Sequence, residues 1–348
     1  YQEHPYRRPG IGSLTDLDAA QIGDVLAFHE TFYRPDNAYL IVVGNFEETE
    51  LNGWVDKYFG PIERPERALP VNDVEEPART AVREATYYAP NVSLPAVLVN
   101  WLVPKYASED SAPLLVLDGI LSTGASSRLY RSLVYTQQLA AEIGTSLDQA
   151  QQAGNISAYA LLATGRSVEE GKTALLAEVA KLRDQKVSSE ELDEAKNELI
   201  AARLRNRESL LGLGNEVGES LIMAGDAAAS EKLLERIRGV TVDDVQRVAQ
   251  AYLGDQNYVV INYLGDSAKP ADVPAEPRMP ATDAPVTLEE LAPAGEPVTL
   301  APEGERVPMP NAGPERDVTT PSVSERRLTN GLRVLVAPRH NLPLVAAL

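Results

Sequence analysis

Cysteine is absent from this chain, which removes disulfides, thiolate zinc sites and cysteine nucleophiles together, while leaving the redox compartment open. Histidine is scarce as well. His4, His29 and His340 are scattered along the sequence, and none has a second histidine at helical spacing, so no zinc-binding pair can be assembled from them. Positive charge is in deficit: 51 acidic side chains face 32 basic ones, a formal net charge of −19. Such a field repels phosphate backbones and anionic lipid surfaces, which argues against nucleic acid and membrane surfaces as partners. Long apolar runs are missing too, since none approaches the roughly 20 residues that a spanning helix needs. There is no initiator methionine, and the chain opens on Tyr1 and stops within the apolar run Leu344 to Leu348. It reads as a fragment, so the lack of targeting signals carries no information, and a periplasmic and a cytoplasmic bacterial setting stay equally open.

What is present is ample for folding. The 348 residues are 44% hydrophobic, enough for two domains with real cores. Residues 15–33 read as one helix with an apolar face of Ile22, Val25, Leu26, Phe28, Phe32 and Tyr33, stopped by Pro35. Ala38 to Val43 then reads as a buried strand, and Glu48 to Phe59 as a helix closed by Gly60-Pro61. Pro65, Pro70 and Pro77 punctuate a polar linker. Strands follow at Glu84–Tyr88 and Ala96–Val103, then a helix from near Ser108 to Ile120. Glu142–Asp148 and Asn155–Ala163 form a hairpin pattern, with Ile156, Ala158, Ala160 and Leu162 on one face.

Ser167 to Gln185 is an amphipathic helix, and Ser188 with Glu191 is a capping box opening the next. Gly212-Leu213-Gly214 marks a helix break rather than a dinucleotide fingerprint, because no strand precedes it. A helix from Thr241 to Tyr252 and a strand from Asn257 to Leu264 complete this region. Residues 266–321 are rich in proline and read as an extended tether, a target for limited proteolysis. Beyond it, Asn330-Gly331 sits between two short strands. One internal echo stands out: Asp24-Val25, Phe32 and Asn37 recur as Asp244-Val245, Tyr252 and Asn257 at a constant offset of 220. The spacing fits either a duplicated unit or a chance similarity of two helix–strand pairs.

The stretch of greatest functional interest is Leu121 to Gly144. A small-residue loop, Ser122 to Ser127, feeds what reads as a helix of about fifteen residues striped by Leu129, Leu133 and Val134. The loop either offers backbone N–H groups to an anion or an extended peptide, or only packs. Ser126-Ser127 has no histidine near it in sequence, so nothing supports a serine nucleophile. The acidic pairs Glu47-Glu48, Glu169-Glu170 and Glu190-Glu191 stand at helix starts, where the macrodipole explains them.

His4-Pro5-Tyr6, Phe32 to Asn37, Leu40 to Phe46 and Lys57 to Ile62 resemble, in sequence and order, the pitrilysin/insulinase-type zinc metallopeptidases, which include the mitochondrial processing peptidases. Gly124 to Tyr130 resembles the loop and following helix of the family's next unit, Glu191 to Asn197 its later helix, and Leu328 to Val334 the opening of a third unit. The resemblance implies an α+β fold of repeated metallopeptidase-type units, each a largely antiparallel curved sheet with helices on one face, joined by linkers. It divides the chain into the C-terminal half of a first unit (1–65), a linker (66–83), a second unit (84–265), a Pro-rich tether (266–321) and the start of a third unit (322–348).

In the family, a first unit carries an inverted His-x-x-Glu-His zinc motif, and a distant unit supplies an Arg and a Tyr that hold the substrate carbonyl. Zinc ligands are therefore expected upstream of Tyr1, with no metal held by this fragment. The Arg and Tyr positions fall on Val134 and Ala141, and the nearby Arg131 and Tyr135 are out of register. The second unit is accordingly expected to be non-catalytic, with no catalytic residue of its own. The implied role is a chamber wall of a zinc endopeptidase acting on peptides or unfolded proteins, alongside the other units or a partner subunit. Gly124, Ser126 and Ser127 are its candidate substrate-binding residues, and a non-catalytic scaffold or partner subunit is the alternative.

Overall fold

The computed structural model describes residues 1–271, 299, 301–306 and 322–338. Its first third differs from the sequence reading. The single helix expected over 15–33 is two: α1 (Leu14–Ala19) and α2 (Ile22–Phe32), parted where Gln21 caps α2. Gln21 and Asp24 satisfy each other's backbone N–H groups, so a new helix starts rather than the old one continuing. The apolar face of α2 is not covered, for Ile22, Val25, Phe28 and Tyr33 are all exposed. α3 (Glu48–Tyr58) follows. The buried strand expected at 38–43 is an unpaired, largely exposed segment, because no strand among the described residues lies beside it.

Five strands of the described residues form one sheet: β1 (Arg83–Ala89), β2 (Ala96–Val103), β3 (Ala140–Gln149), β4 (Gly154–Leu162) and β5 (Tyr258–Gly265). Their order is β1-β5-β2-β4-β3, antiparallel throughout except for β1 beside β5. Alternation sets the register, since a slip of one residue would turn the apolar set to the wrong face. Val99 stands opposite Ala158 and Trp101 opposite Ile156, and all four are buried. Trp101 also finds a partner for its indole N–H, which donates to the Gly254 carbonyl at 3.1 Å.

Helices cover that one face. α4 (Ser111–Ser122), α5 (Val168–Asp184), α6 (Ser189–Asn206), α7 (Leu210–Ala224), α8 (Ala229–Gly239) and α9 (Val242–Tyr252) follow in order, with α4 on β3, α5 on β2 and β4, and α9 on β2. Leu114, Leu117, Leu175, Leu182, Leu233 and Val245 are fully buried between the layers, each worth about 1.5–3 kcal/mol of apolar burial. A capping box starts α6 at Ser188, as the sequence reads, and two more start α5 at Ser167 and α9 at Thr241. The helix break expected at Gly212-Leu213-Gly214 is absent, and α7 runs through it. These glycines serve close approach instead: a Cβ on Gly212 would lie 1.9 Å from the Asn206 carbonyl oxygen, and one on Gly218 would lie 3.0 Å from Ile41.

The internal echo is structural in part. α2 and α9 stand at the same offset, each with an aspartate capping box. Asn37 donates to the Phe32 carbonyl at 2.9 Å, and Asn257 donates to the Tyr252 carbonyl at 3.3 Å. Their continuations part company, for 258–265 is a central strand while 38–43 is unpaired. Residues 63–82 carry no regular secondary structure but are fastened at several points. Buried Arg34 donates to the Arg67 and Pro65 carbonyls at 2.6 and 2.9 Å, and Glu76 accepts the N–H groups of Gln2, Glu3 and His4. Residues 272–298, 300 and 307–321 of the expected tether lie outside the described residues, as do residues 339–348 of the expected third unit. The Asn-Gly turn joins β6 (Ser324–Arg327) to β7 (Arg333–Val336), antiparallel, with Gly331 at φ +89°.

Candidate functional site

The loop after α4 turns on Gly124, whose φ of +77° is costly for any residue with a Cβ. Ser127 closes the turn from inside: its Oγ donates to the Gly124 carbonyl at 2.8 Å and its side chain is buried. Ser126 faces the other way and donates to Glu194 Oε1 at 2.5 Å. The loop thus rests on α6, leaving a cleft of about 100 Å³ lined by Thr123, Gly124, Ser126, Glu191, Glu194 and Glu198. A floor of carboxylates opposes binding of an anion, so of the two ligands weighed for this loop an extended peptide suits it better.

Arg128 locks the arrangement. Its Nε and one terminal nitrogen donate to the two oxygens of Glu191 at 2.8 and 3.0 Å, the bidentate geometry that makes arginine–carboxylate pairs strong. Glu191 Oε2 also accepts the Ser188 N–H at 3.0 Å, so one carboxylate caps α6 and pins the loop. The Arg128 guanidinium holds the Glu191 carboxyl below the usual carboxylate range, against the opposing effect of burial. Glu178 of α5 is buried beside it and accepts from Ser132 at 2.6 Å and Lys181 at 2.7 Å.

The helix after the loop is shorter than its sequence pattern. Helical turns end at Thr136, the last of a π-helical run Tyr130–Thr136, and Gln138 takes φ +49° to start the exit. Leu129, Leu133 and Leu139 are all buried, and the Leu139 N–H donates to the Leu133 carbonyl at 2.8 Å. The core and the pairing of β3 with β4 claim residues 139–149, which overrides local helical periodicity. Val134 packs half-buried against the core, and Ala141 is the unpaired residue of a β-bulge between Ala140 and Glu142. Arg131 and Tyr135 are both exposed.

The histidines do not fit a zinc centre. His4 is buried, with Nδ1 accepting the Tyr6 N–H at 3.1 Å and Nε2 against Gln152 at 3.1 Å. His29 is exposed and stacks on Tyr33 with ring centroids 4.9 Å apart. His340 lies outside the described residues. Among the described residues no group of three or more His, Cys, Asp or Glu is placed to hold a metal, and no helix is long and apolar enough to cross a membrane.

The sheet face away from the helices presents a different surface. A cleft of about 590 Å³ there is lined by Tyr1, Arg79, Arg83, Asn100, Asn155 and Ser157 among others. Sequence reading passed over these residues. The one available signal was Asn100, a polar residue set inside the apolar run Ala96–Val103.

Comparison with known proteins bears on all of this. Residues 19–199 match the model of the Peptidase M16 inactive domain. The zinc protease PqqE of Helicobacter pylori is 26% identical over 259 residues, covering 73% of this chain and 57% of that protein. The mitochondrial-processing peptidase subunit beta of Saccharomyces cerevisiae is 20% identical over 256 residues, covering 70% of this chain and 55% of that one. A solved protease from Helicobacter pylori superposes with a TM-score of 0.72 at 25% identity, over 76% of this chain and 64% of that chain. The M16 inactive domain from Pseudomonas fluorescens shares the fold at a TM-score of 0.66 and 16% identity, over 79% of this chain and 64% of that chain. The chain therefore spans little more than half the length of these curated relatives, and it belongs to the M16, pitrilysin/insulinase-like peptidase family, with residues 19–199 of the inactive-domain type.

Proposed function

We propose that this chain is a supporting, non-catalytic part of a zinc-dependent metalloendopeptidase that cleaves peptides or unfolded proteins within a chamber. In this reading, residues 84–265 are a complete second unit whose open sheet face forms chamber wall, and residues 1–65 are half of a first unit. The uncovered apolar side chains of α2 and α3, such as Ile22, Phe28 and Trp54, support that division, because a face of this size is normally covered by a partner element. Residues 66–83 link the two units, 266–321 tether a third, and 322–348 begin it. Of the residues Gly124, Ser126 and Ser127, the exposed Gly124 and Ser126 are the lip that touches the extended peptide, and the buried Ser127 holds their turn from beneath. The zinc belongs to a part of the parent protein outside these residues, and other peptidase-like units or a partner subunit complete the chamber.

The observation that carries this reading is the pair of positions where an Arg and a Tyr would hold the substrate carbonyl. Val134 is committed to packing and Ala141 to a bulge, so neither stabilises a developing oxyanion. The test is the 348-residue chain itself and its Val134→Arg/Ala141→Tyr variant. Metal analysis after dialysis is expected to find no stoichiometric zinc, and neither protein is expected to cut an unfolded peptide. One tight zinc per chain, or cleavage abolished by a chelator, would overturn the assignment.

A further inference from the structure

The open sheet face holds two arginines that, among the described residues, make no ion pair with a carboxylate. Arg79 donates from its two terminal nitrogens to the Asn100 carbonyl oxygen and Oδ1 at 2.8 and 2.9 Å. Asn100 is fixed in turn, its Nδ2 donating to Asn155 Oδ1 at 2.7 Å and Ser157 Oγ at 2.8 Å. All these acceptors are neutral, and the Arg79 Nε–H is buried without a partner. Arg83 lines the same cleft. With its side-chain oxygen turned inward, Gln2 accepts from both terminal nitrogens of Arg83 at 2.7 and 3.2 Å, again as a neutral group.

Four other recessed arginines are paired with acids, while Arg236 also donates to a neutral group, the Ser108 carbonyl at 3.0 Å. Arg34, Arg128, Arg183 and Arg207 each hold a carboxylate, whereas among the described residues neither Arg79 nor Arg83 has one within ion-pair distance. Neighbouring carboxylates are spent elsewhere. Glu76 accepts three backbone N–H groups at 2.6, 3.0 and 3.0 Å, and Glu84 holds Asn262 and Lys172 on the helix side of the sheet. Asp148, on the same open face, lies across β4 from Asn100, opposite Asn155. In a molecule of net charge −19, two guanidiniums in one cleft, with Glu76 acting on Arg79 only from beyond ion-pair distance, are an opening for an external anion.

We propose that Arg79 and Arg83 form a clamp for a carboxylate of an extended peptide lying on the open sheet face. Asn100, Asn155 and Ser157 are positioning residues that hold the Arg79 guanidinium, and Leu98, Val259 and Ile261 in the same cleft offer apolar contact to the peptide's side chains. Guanidinium suits the task because its planar donors meet both carboxylate oxygens at once. The proposal rests on the reading of this face as a peptide-contact surface, and either a peptide's terminal carboxylate or an acidic side chain would satisfy it.

The test uses a labelled unstructured peptide in three forms: free C-terminus without acidic residues, C-terminal amide without acidic residues, and C-terminal amide with one glutamate. Binding to the 348-residue chain is followed by fluorescence anisotropy, with Arg79→Gln and Arg83→Gln as variants. At least one carboxylate form is expected to bind about tenfold tighter than the plain amide, and either variant should erase that difference while binding the amide as before. A gain for the free terminus alone, or for the glutamate form, assigns the source. Equal binding of all three forms would sink the clamp and leave the peptide-contact reading standing. If no form binds, that reading falls, and the clamp is judged by acetate titration of the Nε–H resonance that disappears in Arg79→Gln: a shift supports it and an unmoved resonance ends it.

Discussion

Asp118 sits on α4 with one carboxylate oxygen buried and unpartnered. Burial pushes its carboxyl above the usual range, and a hydrogen bond from Thr145 only partly opposes this. A folded-state pKa raised above the unfolded value means that the contribution to stability is fully present below the unfolded pKa and is lost as pH rises through the folded pKa. Neutral pH is therefore where the buried carboxyl costs stability relative to acid. Asp118→Asn should stabilise the chain by about 1–2 kcal/mol at pH 7, with the advantage shrinking as pH falls towards 4. Urea midpoints at the two values check it, and a variant less stable at pH 7 would show that the carboxylate has a partner it needs. Nothing in the sequence marked this residue, because an aspartate in an apolar helix reads as its solvent face until packing says otherwise. The loop at Gly124 was legible for the opposite reason: a run of small residues after an apolar helix marks a loop on its own.

At the scale of elements, residues 63–82 lack helix and strand yet are not slack. Arg34 is only 7% exposed, and its guanidinium ties Asp36 to the carbonyls of Pro65 and Arg67. Arg34→Ala should leave the five-stranded sheet intact and make residues 63–70 cut several-fold faster in limited proteolysis, since the open population of a segment controls its cleavage. An unchanged cutting rate would mean that the Glu76 and Arg79 contacts suffice to hold the linker. Composition announced the linker through its prolines, but not its fastening. The partner carbonyls are more than thirty residues from Arg34. α7 teaches the same lesson from the other side. Its glycines look like a break in sequence, yet they stay helical, with Gly214 against Val43 and Gly218 against Ile41. The start of α6 was read directly, since its capping box is chemistry within four residues, whereas the one at Gln21 went unread.

Taken whole, the molecule is strongly acidic, and its ion pairs are mostly short-range and partly exposed, worth little each. Self-repulsion from a net charge of −19 is the longer-ranged term, and it is screened once the Debye length falls to about 10 Å near 0.1 M salt. The thermal midpoint is accordingly expected to rise by a few degrees between low salt and about 0.2 M sodium chloride. A midpoint that falls would place the greater weight on pairs such as Arg128–Glu191 and Arg207–Glu216.

The sequence by itself determined the family, most strand and helix positions, and the alternating core face of β4. These rest on local periodicity, capping chemistry and residue identity, which need no third dimension. Tertiary structure alone decided that β1 lies parallel to β5, that the loop helix stops at Thr136, and that residues 38–43 stay unpaired. It also decided that Glu191 both caps α6 and holds Arg128, and that Arg79 reaches Asn100. Each of these joins residues far apart in the chain, and only the competition for burial and for hydrogen-bond partners in the folded state settles which distant groups meet.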